Sequence, residues 1–182
     1  FLNTVGNRLE GCLPLPKLMW LREHESETYA RIRHVLISSK DYLIAQLTGE
    51  CVGDVAACST AGAMNIRNGQ WDAELCEVAE INMTILPQLY NPQDRISIVT
   101  ESAAQRAGFS AGTAVYAGIG DAGATTLASG VSRPGQYNIN IGTSGWIATV
   151  SPEPFTDKPG AANLAFGVEE GFVNAVPFLN AG

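Results

Sequence analysis

The sequence predicts an α/β fold in which a mainly helical first half is followed by a region richer in strands. Apolar residues recur at spacings of three and four along much of residues 14–107, which is typical of helices that bury one face. From about residue 113 the pattern changes. The run TAVYAGI (113–119) is continuously apolar, which is typical of a strand covered on both faces. QYNINI (136–141) alternates polar and apolar residues, which is typical of a half-buried strand.

Capping residues predict where the helices of the first half begin and end. A helix in PKLMWLREH begins at Pro16, because proline is tolerated in a first helical turn, and SETYARIRHVLI continues the helical spacing. In SSKDYLIAQLTGE, Ser38 or Ser39 can cap the N-terminus and Gly49 can end the helix. Two further helices are predicted in QWDAELCEVAEI and TESAAQRAGF.

The second half predicts one small-residue helix and two hairpins. DAGATTLASG favours a helix that ends at Gly130. QYNINI and WIATV are so close in sequence that they must pair as a hairpin, and ANLAFGV with GFVNAV suggests another. We expect one segment to end near residue 131 and a second to begin near residue 134.

Composition and charge limit the classes of partner. The chain has 182 residues, of which 46% are hydrophobic, enough to bury a core in one domain or two small ones. A formal net charge of −7 and the lack of a Lys/Arg-rich run argue against nucleic acid or an anionic membrane surface as a partner. No apolar stretch approaches the roughly 18 residues of a membrane span. The four cysteines show no CxxC pair or zinc spacing, so we expect reduced thiols in the cytoplasm.

Asp121 is the first candidate for chemistry. It follows the predicted strand, at the end where open α/β sheets place their ligands, and Gly118, Gly120 and Gly123 would let other groups approach the backbone closely. Its carboxylate could accept a proton from a substrate hydroxyl, as in phosphoryl transfer. The alternative is that Asp121 is the N-cap of the following helix. The two roles are compatible.

The second candidate is GTSG, which comprises Gly142, Thr143, Ser144 and Gly145 at the tip of the predicted hairpin. Successive N–H groups in such a tip can converge as a nest that binds phosphate. It is not a Walker A loop, since it has no Gly-Lys-Ser/Thr and a strand follows. The alternative is an ordinary four-residue turn. Because the tip and Asp121 are only about 25 residues apart, we expect them to face one cleft.

Several other residues are expected to have structural roles. Trp20 and Tyr42 are predicted to pack in the core, and Asp54 to cap a helix or form a turn. His24 and His34 are predicted to lie on the surface or in satisfied core positions, because no carboxylate or cysteine spacing around them suggests a metal site.

Six stretches resemble, in order, successive signatures of the FGGY family of carbohydrate kinases, in its xylulokinase and glycerol kinase branches. They are PKLMWLREHE, SSKDYLIAQLTGE, DVAACSTAGAMNIRNGQWD, ILPQL, AGFSAGTAVYAGIGD and NINIGTSGWIATV. The likeness runs over most of residues 14–150. Any one motif is weak, whereas six in order are specific, so the chain is similar to the central part of such a kinase.

The resemblance implies an actin-like ATPase or ribonuclease H-like fold, in which two domains enclose a cleft. Residues 1–131 would be the C-terminal part of the N-terminal FGGY kinase domain, and residues 134–182 the beginning of the C-terminal one. The implied activity is phosphorylation of a sugar or polyol by ATP with Mg²⁺. Asp121 matches the family's catalytic aspartate, and Gly142, Thr143, Ser144 and Gly145 match the hairpin that holds the phosphates of ATP.

Departures from the family pattern limit what the resemblance implies. Ala122 stands where Asn or Gln often holds the substrate, so the sugar is not identified, and a homodimer is left open. The early Asp-x-Gly-Thr motif and the C-terminal adenosine motif are absent, the chain has no initiator Met, and it stops after an apolar run. We therefore expect an incomplete piece that phosphorylates nothing by itself. The alternatives are a non-catalytic actin-like module that senses nucleotide or sugar, and a purely structural domain.

Overall fold

A computed structural model of the protein describes residues 1–142 and 145–178. Within these residues the chain forms eight α-helices, one short 3₁₀ helix (Met83–Ile85) and ten strands. The helices are α1 (Leu2–Val5), α2 (Pro14–His24), α3 (Ser26–Ala30), α4 (Ser39–Thr48), α5 (Val55–Cys58), α6 (Ala73–Val78), α7 (Glu101–Ala107) and α8 (Asp121–Ala128). The strands are β1 (Val52–Asp54), β2 (Met64–Asn65), β3 (Gln70–Trp71), β4 (Gln88–Tyr90), β5 (Arg95–Ile98), β6 (Ala114–Tyr116), β7 (Tyr137–Ile141), β8 (Gly145–Ser151), β9 (Ala162–Ala165) and β10 (Phe172–Phe178).

The second half is organised by a four-stranded antiparallel sheet with the order β7-β8-β10-β9. Both predicted hairpins are confirmed, since β7 pairs with β8 and β9 pairs with β10. The first half has only two-stranded pairs among the described residues, of which β1 with β4 is parallel. The prediction of a helical first half and a strand-rich second half is therefore confirmed.

Helix α4 begins and ends as its sequence predicts. Ser38 is the N-cap, and its side chain accepts a hydrogen bond from the backbone N–H of Lys40 (3.2 Å), while the Asp41 carboxylate accepts one from the Ser38 N–H (3.0 Å). These reciprocal bonds form a capping box. At the other end Gly49 adopts φ 86°, a left-handed conformation that favours glycine.

The prediction that SETYARIRHVLI is helical throughout is wrong. Helix α3 ends at Ala30, and residues 32–37 have no regular secondary structure. The β-branched side chains of Ile32 and Val35 pack against the first-half core, and the Val35 N–H donates to the Ile85 carbonyl (2.8 Å). Tertiary packing and this long-range hydrogen bond outweigh the helical spacing, which β-branched residues support only weakly.

The prediction that TAVYAGI is a strand buried on both faces is also wrong. Only Ala114–Tyr116 is a strand, it pairs with β5 in the described part of the chain, and Ala114 and Tyr116 are exposed. The segment after it, residues 117–120, is a loop that leads into α8. A continuous apolar run therefore contains a short strand and an irregular loop, of which Ala117 is buried, rather than a central strand.

Two aromatic side chains that were predicted to be core residues are on the surface. Helix α2 buries Leu15 and Leu18, and Trp20 lies off that face with about half of its surface exposed. Helix α4 buries positions spaced by three and four residues, which leaves Tyr42 exposed. His24 and His34 are exposed as predicted.

The packing of α8 on the four-stranded sheet positions the candidate site. Seven buried residues of this region form one cluster: Val131, Ala148, Val150, Leu164, Phe166, Val173 and Ala175. Ile119 and Ala122, which flank Asp121 in the sequence, pack against it. The loop before α8 is therefore fixed to the sheet. Among the described helices, none is long and apolar enough to span a bilayer.

Candidate functional site

Asp121 lies on the wall of a cleft of about 650 Å³, which we call the Asp121 cleft. One wall is the start of α8 with the loop before it, the second is the start of α4 with the first turn of α5, and the third is the sheet. The lining residues are Ile37, Ser38, Ser39, Lys40, Ala56, Ala57, Thr60, Ile119, Gly120, Asp121, Ala122, Gly123, Ala162, Leu164 and Ala175. Segments far apart in sequence thus meet around the predicted base.

The Asp121 side chain is exposed to the cleft and is not the N-cap of α8. Gly120 occupies the cap position, and Asp121 is the first helical residue. Its Oδ1 accepts a hydrogen bond from the neighbouring Ala122 N–H (2.8 Å), and the described residues offer no hydrogen bond or ion pair to its Oδ2. The alternative in which Asp121 serves as the N-cap is wrong. One carboxylate oxygen is thus left to accept a hydrogen bond from a ligand hydroxyl.

Lys40 is the cationic residue of the cleft lining, and it is held by two carboxylates. Its Nζ lies 2.6 Å from Asp41 Oδ1 and 2.7 Å from Asp54 Oδ2. Both carboxylate side chains are fully buried, whereas the Lys40 side chain is 24% exposed. We call these three residues the Lys40 triad. The net charge of the triad is −1. This excess of buried negative charge stabilises the ammonium form of Lys40.

Opposing effects act on the pKa of Lys40. Burial alone lowers the pKa of the ammonium, because it disfavours the charged form. The hydrogen bonds to Asp41 and Asp54, together with the charges of these carboxylates, outweigh burial and raise the pKa above its usual 10.5. The lysine is therefore positively charged at neutral pH.

The predicted phosphate hairpin is described only in part. Gly142 is exposed, while Thr143 and Ser144 lie outside the described residues. Gly145 is buried at the start of β8, opposite Ile141 of β7 and Phe178 of β10. Neither glycine is among the residues that line the Asp121 cleft, so the described hairpin residues are not brought into this cleft with Asp121.

A second cavity, of about 700 Å³, lies elsewhere in the molecule. Its lining includes Arg67, Asp94 and Glu170 and contains none of the predicted site residues. In the described residues no group of three or more His, Cys, Asp or Glu side chains is arranged to hold a metal ion. The Asp121 cleft is therefore the candidate site.

Lys40 is the residue that sequence reasoning missed. Adjacent helical residues do not normally face each other, so the Lys40–Asp41 dipeptide gave no reason to expect an ion pair. Asp54 was predicted to cap a helix, and it does: its Oδ1 accepts from the N–H groups of Ala56 and Ala57, both at 3.0 Å. The signal that could have been used is weak: Lys40 and the two helix-capping acids occur in two successive family-like stretches, SSKDYLIAQLTGE and DVAACSTAGAMNIRNGQWD.

The amino-acid sequence of the chain is similar to the sequences of one family of known proteins. Residues 1–128 match the N-terminal domain of the FGGY family of carbohydrate kinases. A xylulose kinase of Lactococcus lactis subsp. lactis (strain IL1403) is 32% identical over 150 residues, which are 82% of this chain and 30% of that protein. An autoinducer-2 kinase of Photorhabdus laumondii subsp. laumondii is 33% identical over 144 residues, 79% of this chain and 27% of that protein.

Solved structures agree over the whole chain. A xylulose kinase from Rhodospirillum rubrum is 28% identical with a TM-score of 0.91, covering 100% of this chain and 37% of that one. A gluconate kinase from Lactobacillus acidophilus is 22% identical with a TM-score of 0.89 and the same coverage, which is a likeness of fold alone. The predicted class, part of an actin-like ATPase fold, is confirmed. The chain spans about 30% of the length of the curated relatives that it matches.

Proposed function

This chain belongs to the FGGY family of carbohydrate kinases, and on that premise we propose that the complete polypeptide in which it occurs transfers the γ-phosphoryl group of ATP to a hydroxyl of a sugar or polyol. The observation that carries the proposal is the position of Asp121. Its carboxylate faces a cleft large enough for a small polyhydroxylated ligand, and its Oδ2 has no partner in the described part of the chain.

In the proposed reaction Asp121 acts as the general base. The acceptor hydroxyl donates a hydrogen bond to the carboxylate, loses its proton to it, and forms the new O–P bond with the γ-phosphorus. The bond between this phosphorus and the bridging oxygen to the β-phosphate breaks, and ADP leaves with the electron pair. Because Asp121 begins α8, the positive end of the helix dipole lies beside the carboxylate.

The nucleotide is proposed to lie against the hairpin between β7 and β8. Gly142, Thr143, Ser144 and Gly145 would bind its phosphates through N–H groups and hydroxyls. Since no metal-binding cluster occurs among the described residues, we propose that Mg²⁺ enters with ATP and is bound mainly by phosphate oxygens and water.

Membership of the family also suggests a division of the chain into two domains after α8. Residues 1–131 are proposed to belong to the N-terminal FGGY kinase domain and residues 134–182 to the C-terminal one. We name only the class of the acceptor, a sugar or polyol, because the Ala122 side chain cannot form a hydrogen bond that would select one substrate. We also propose a cytoplasmic location, since all four cysteines are free thiols.

The test is a screen of the complete polypeptide for ADP release with ATP, Mg²⁺ and a panel of ketoses, polyols and aldonates. We expect one acceptor class to stimulate ADP release. Asp121→Asn should lower that rate by about 10²- to 10⁴-fold, the range for a general base. The matched control is Asp157→Asn, which alters an exposed carboxylate paired with the adjacent Lys158 and should leave the rate unchanged.

Two outcomes would contradict the proposal. If the Asp121→Asn variant keeps the rate of the parent protein, Asp121 is not the base. If ATP binds but no acceptor yields a phosphorylated product, the cleft belongs to a nucleotide- or sugar-sensing module that does not catalyse phosphorylation.

A further inference from the structure

The Lys40 triad joins the N-termini of two helices beside the Asp121 cleft, whose lining includes Lys40. Asp41 uses Oδ1 for Lys40 and Oδ2 for the Ser38 N–H, so it caps α4 and binds the lysine at the same time. Asp54 uses Oδ2 for Lys40 and Oδ1 for the first N–H groups of α5. Because both carboxylates already have fixed partners on the backbone, the ammonium between them fixes α4 and α5 relative to each other.

The loop that carries Asp121 rests on these same groups. A Cβ atom on Gly118 would lie 3.7 Å from Lys40 Cδ, so the loop backbone passes within about one methyl group of the aliphatic part of the lysine. A Cβ atom on Gly120 would lie 3.4 Å from Ala57 Cβ, so the loop also lies against the α5 turn that Asp54 caps. Both glycines lie within the three residues that precede Asp121 in the chain.

We propose that Lys40 is a positioning residue for Asp121, acting through the loop 117–120, which it supports directly by its aliphatic stem and indirectly by holding Asp54 and helix α5. The role of Asp121 as a base rests on the proposed function. The support of the loop by Lys40 is argued only from the positions of the two in the structure. Lys40 is not assigned a contact with substrate or nucleotide.

The charge of the triad suggests how to test this link without simply unfolding the protein. Lys40→Met alone leaves two buried carboxylates without a counter-ion, and such a variant is at risk of not folding. Lys40→Met combined with Asp41→Asn keeps the net charge of the site at −1, as in the parent triad. In this double variant the asparagine amide oxygen can still accept the Ser38 N–H, and Asp54 can still cap α5.

The first measurement is amide hydrogen exchange in peptides that cover residues 117–124. We expect exchange there to rise by about tenfold or more in the charge-balanced double variant, because the loop loses its support. Exchange in α6, which packs through Cys76 in a core cluster that contains no residue of the triad or of α4 among the described residues, should stay unchanged. The matched control is Lys158→Met, which removes a lysine paired with an adjacent but exposed aspartate and should leave both regions unchanged.

The second measurement is steady-state kinetics of ADP release by the complete polypeptide with the acceptor identified in the screen. We expect kcat to fall by about 100-fold, the loss that a misplaced catalytic group can cause, with little change in KM for ATP. A uniform loss of stability would instead raise exchange throughout the protein and leave kcat per folded molecule unaffected.

The outcomes separate the two proposals. Unchanged exchange at residues 117–124 in a folded double variant overturns the positioning role of Lys40, whatever the kinetics show. If the parent protein phosphorylates no acceptor, the proposed function fails and the exchange experiment still decides whether Lys40 supports the loop. Lys40→Arg keeps a cation with several donors and should retain exchange closer to the parent than the double variant does.

Discussion

Lys40 Nζ and Asp54 Oδ2 lie 2.7 Å apart, although the lysine is in the first turn of α4 and the aspartate ends β1. The aspartate is fully buried, and the other oxygen of its carboxylate caps α5. A single buried carboxylate therefore connects three elements around the cleft. Its removal should cost more free energy than the loss of an ordinary helix cap.

Asp54→Ala tests this expectation against Asp72→Ala. Asp72 is the N-cap of α6, where it accepts a hydrogen bond from the Leu75 N–H, and it has no ion pair among the described residues. Loss of a cap costs about 1 kcal/mol. Loss of the ion pair between the buried carboxylate and Lys40 adds roughly 2 kcal/mol, because the ammonium keeps Asp41 as a partner and is not left unpaired. We expect urea unfolding to show a free-energy loss of about 3 kcal/mol for Asp54→Ala and about 1 kcal/mol for Asp72→Ala. Equal losses would mean that the ion pair contributes nothing.

The raised pKa of Lys40 predicts how its contribution to stability depends on pH. The pKa in the folded protein lies above the usual 10.5, because the two carboxylates outweigh burial. The contribution is therefore fully present below the unfolded-state value and is lost as pH rises through the folded-state value. In urea unfolding between pH 7 and pH 11, the difference in stability between the parent protein and the double variant Lys40→Met with Asp41→Asn should be constant at first and should narrow above about pH 10.5. A difference that narrows between pH 7 and pH 9, or one that also appears with Lys158→Met, would contradict this assignment.

The positions of helices could be predicted where the sequence itself satisfies the backbone. Ser38, Asp72 and Thr100 supply side-chain caps within a few residues, and Gly108 supplies the left-handed end of α7. Residues 32–37 could not be predicted in this way. Their conformation depends on Ile85, which is about fifty residues further along the chain.

The candidate site shows the same limit. Asp121 stands out because glycines surround it and because the six family-like stretches occur in order. Lys40 does not, since its partner Asp54 is fourteen positions away and the two meet only after β1 packs beside α4. The N-cap role of Asp121 was wrong by one residue, because a glycine can also occupy a cap and leave the acid in the first turn. A sequence therefore identifies a candidate catalytic residue more easily than it identifies the residues that support that residue.

The four cysteines should differ in reactivity with an alkylating reagent. Burial raises the pKa of the Cys58 thiol well above its usual value, and the charges of Asp41 and Asp54 raise it further. Burial likewise raises the pKa of the Cys76 thiol. Because the thiolate is the reactive form, peptide mapping by mass spectrometry at neutral pH should find Cys12, which is exposed, labelled well before Cys58 and Cys76. Labelling of Cys58 as fast as Cys12 in the folded protein would show that the triad region is open to solvent.

We expect a glycine to be needed at position 145 for packing, in addition to its proposed role in binding phosphate. A Cβ atom there would lie 2.7 Å from Phe178 Cζ and 2.8 Å from the Asn140 carbonyl oxygen, which is backbone and cannot move aside without disturbing the β7–β8 pairing. Gly145→Ala should therefore cost about 1–3 kcal/mol, the usual range for overpacking, as measured by urea unfolding without nucleotide. Gly11→Ala is the control, because no atom lies within 4 Å of a Cβ at that position. If Gly145→Ala is as stable as Gly11→Ala yet binds ATP less tightly, the glycine serves the phosphates alone and the packing explanation fails.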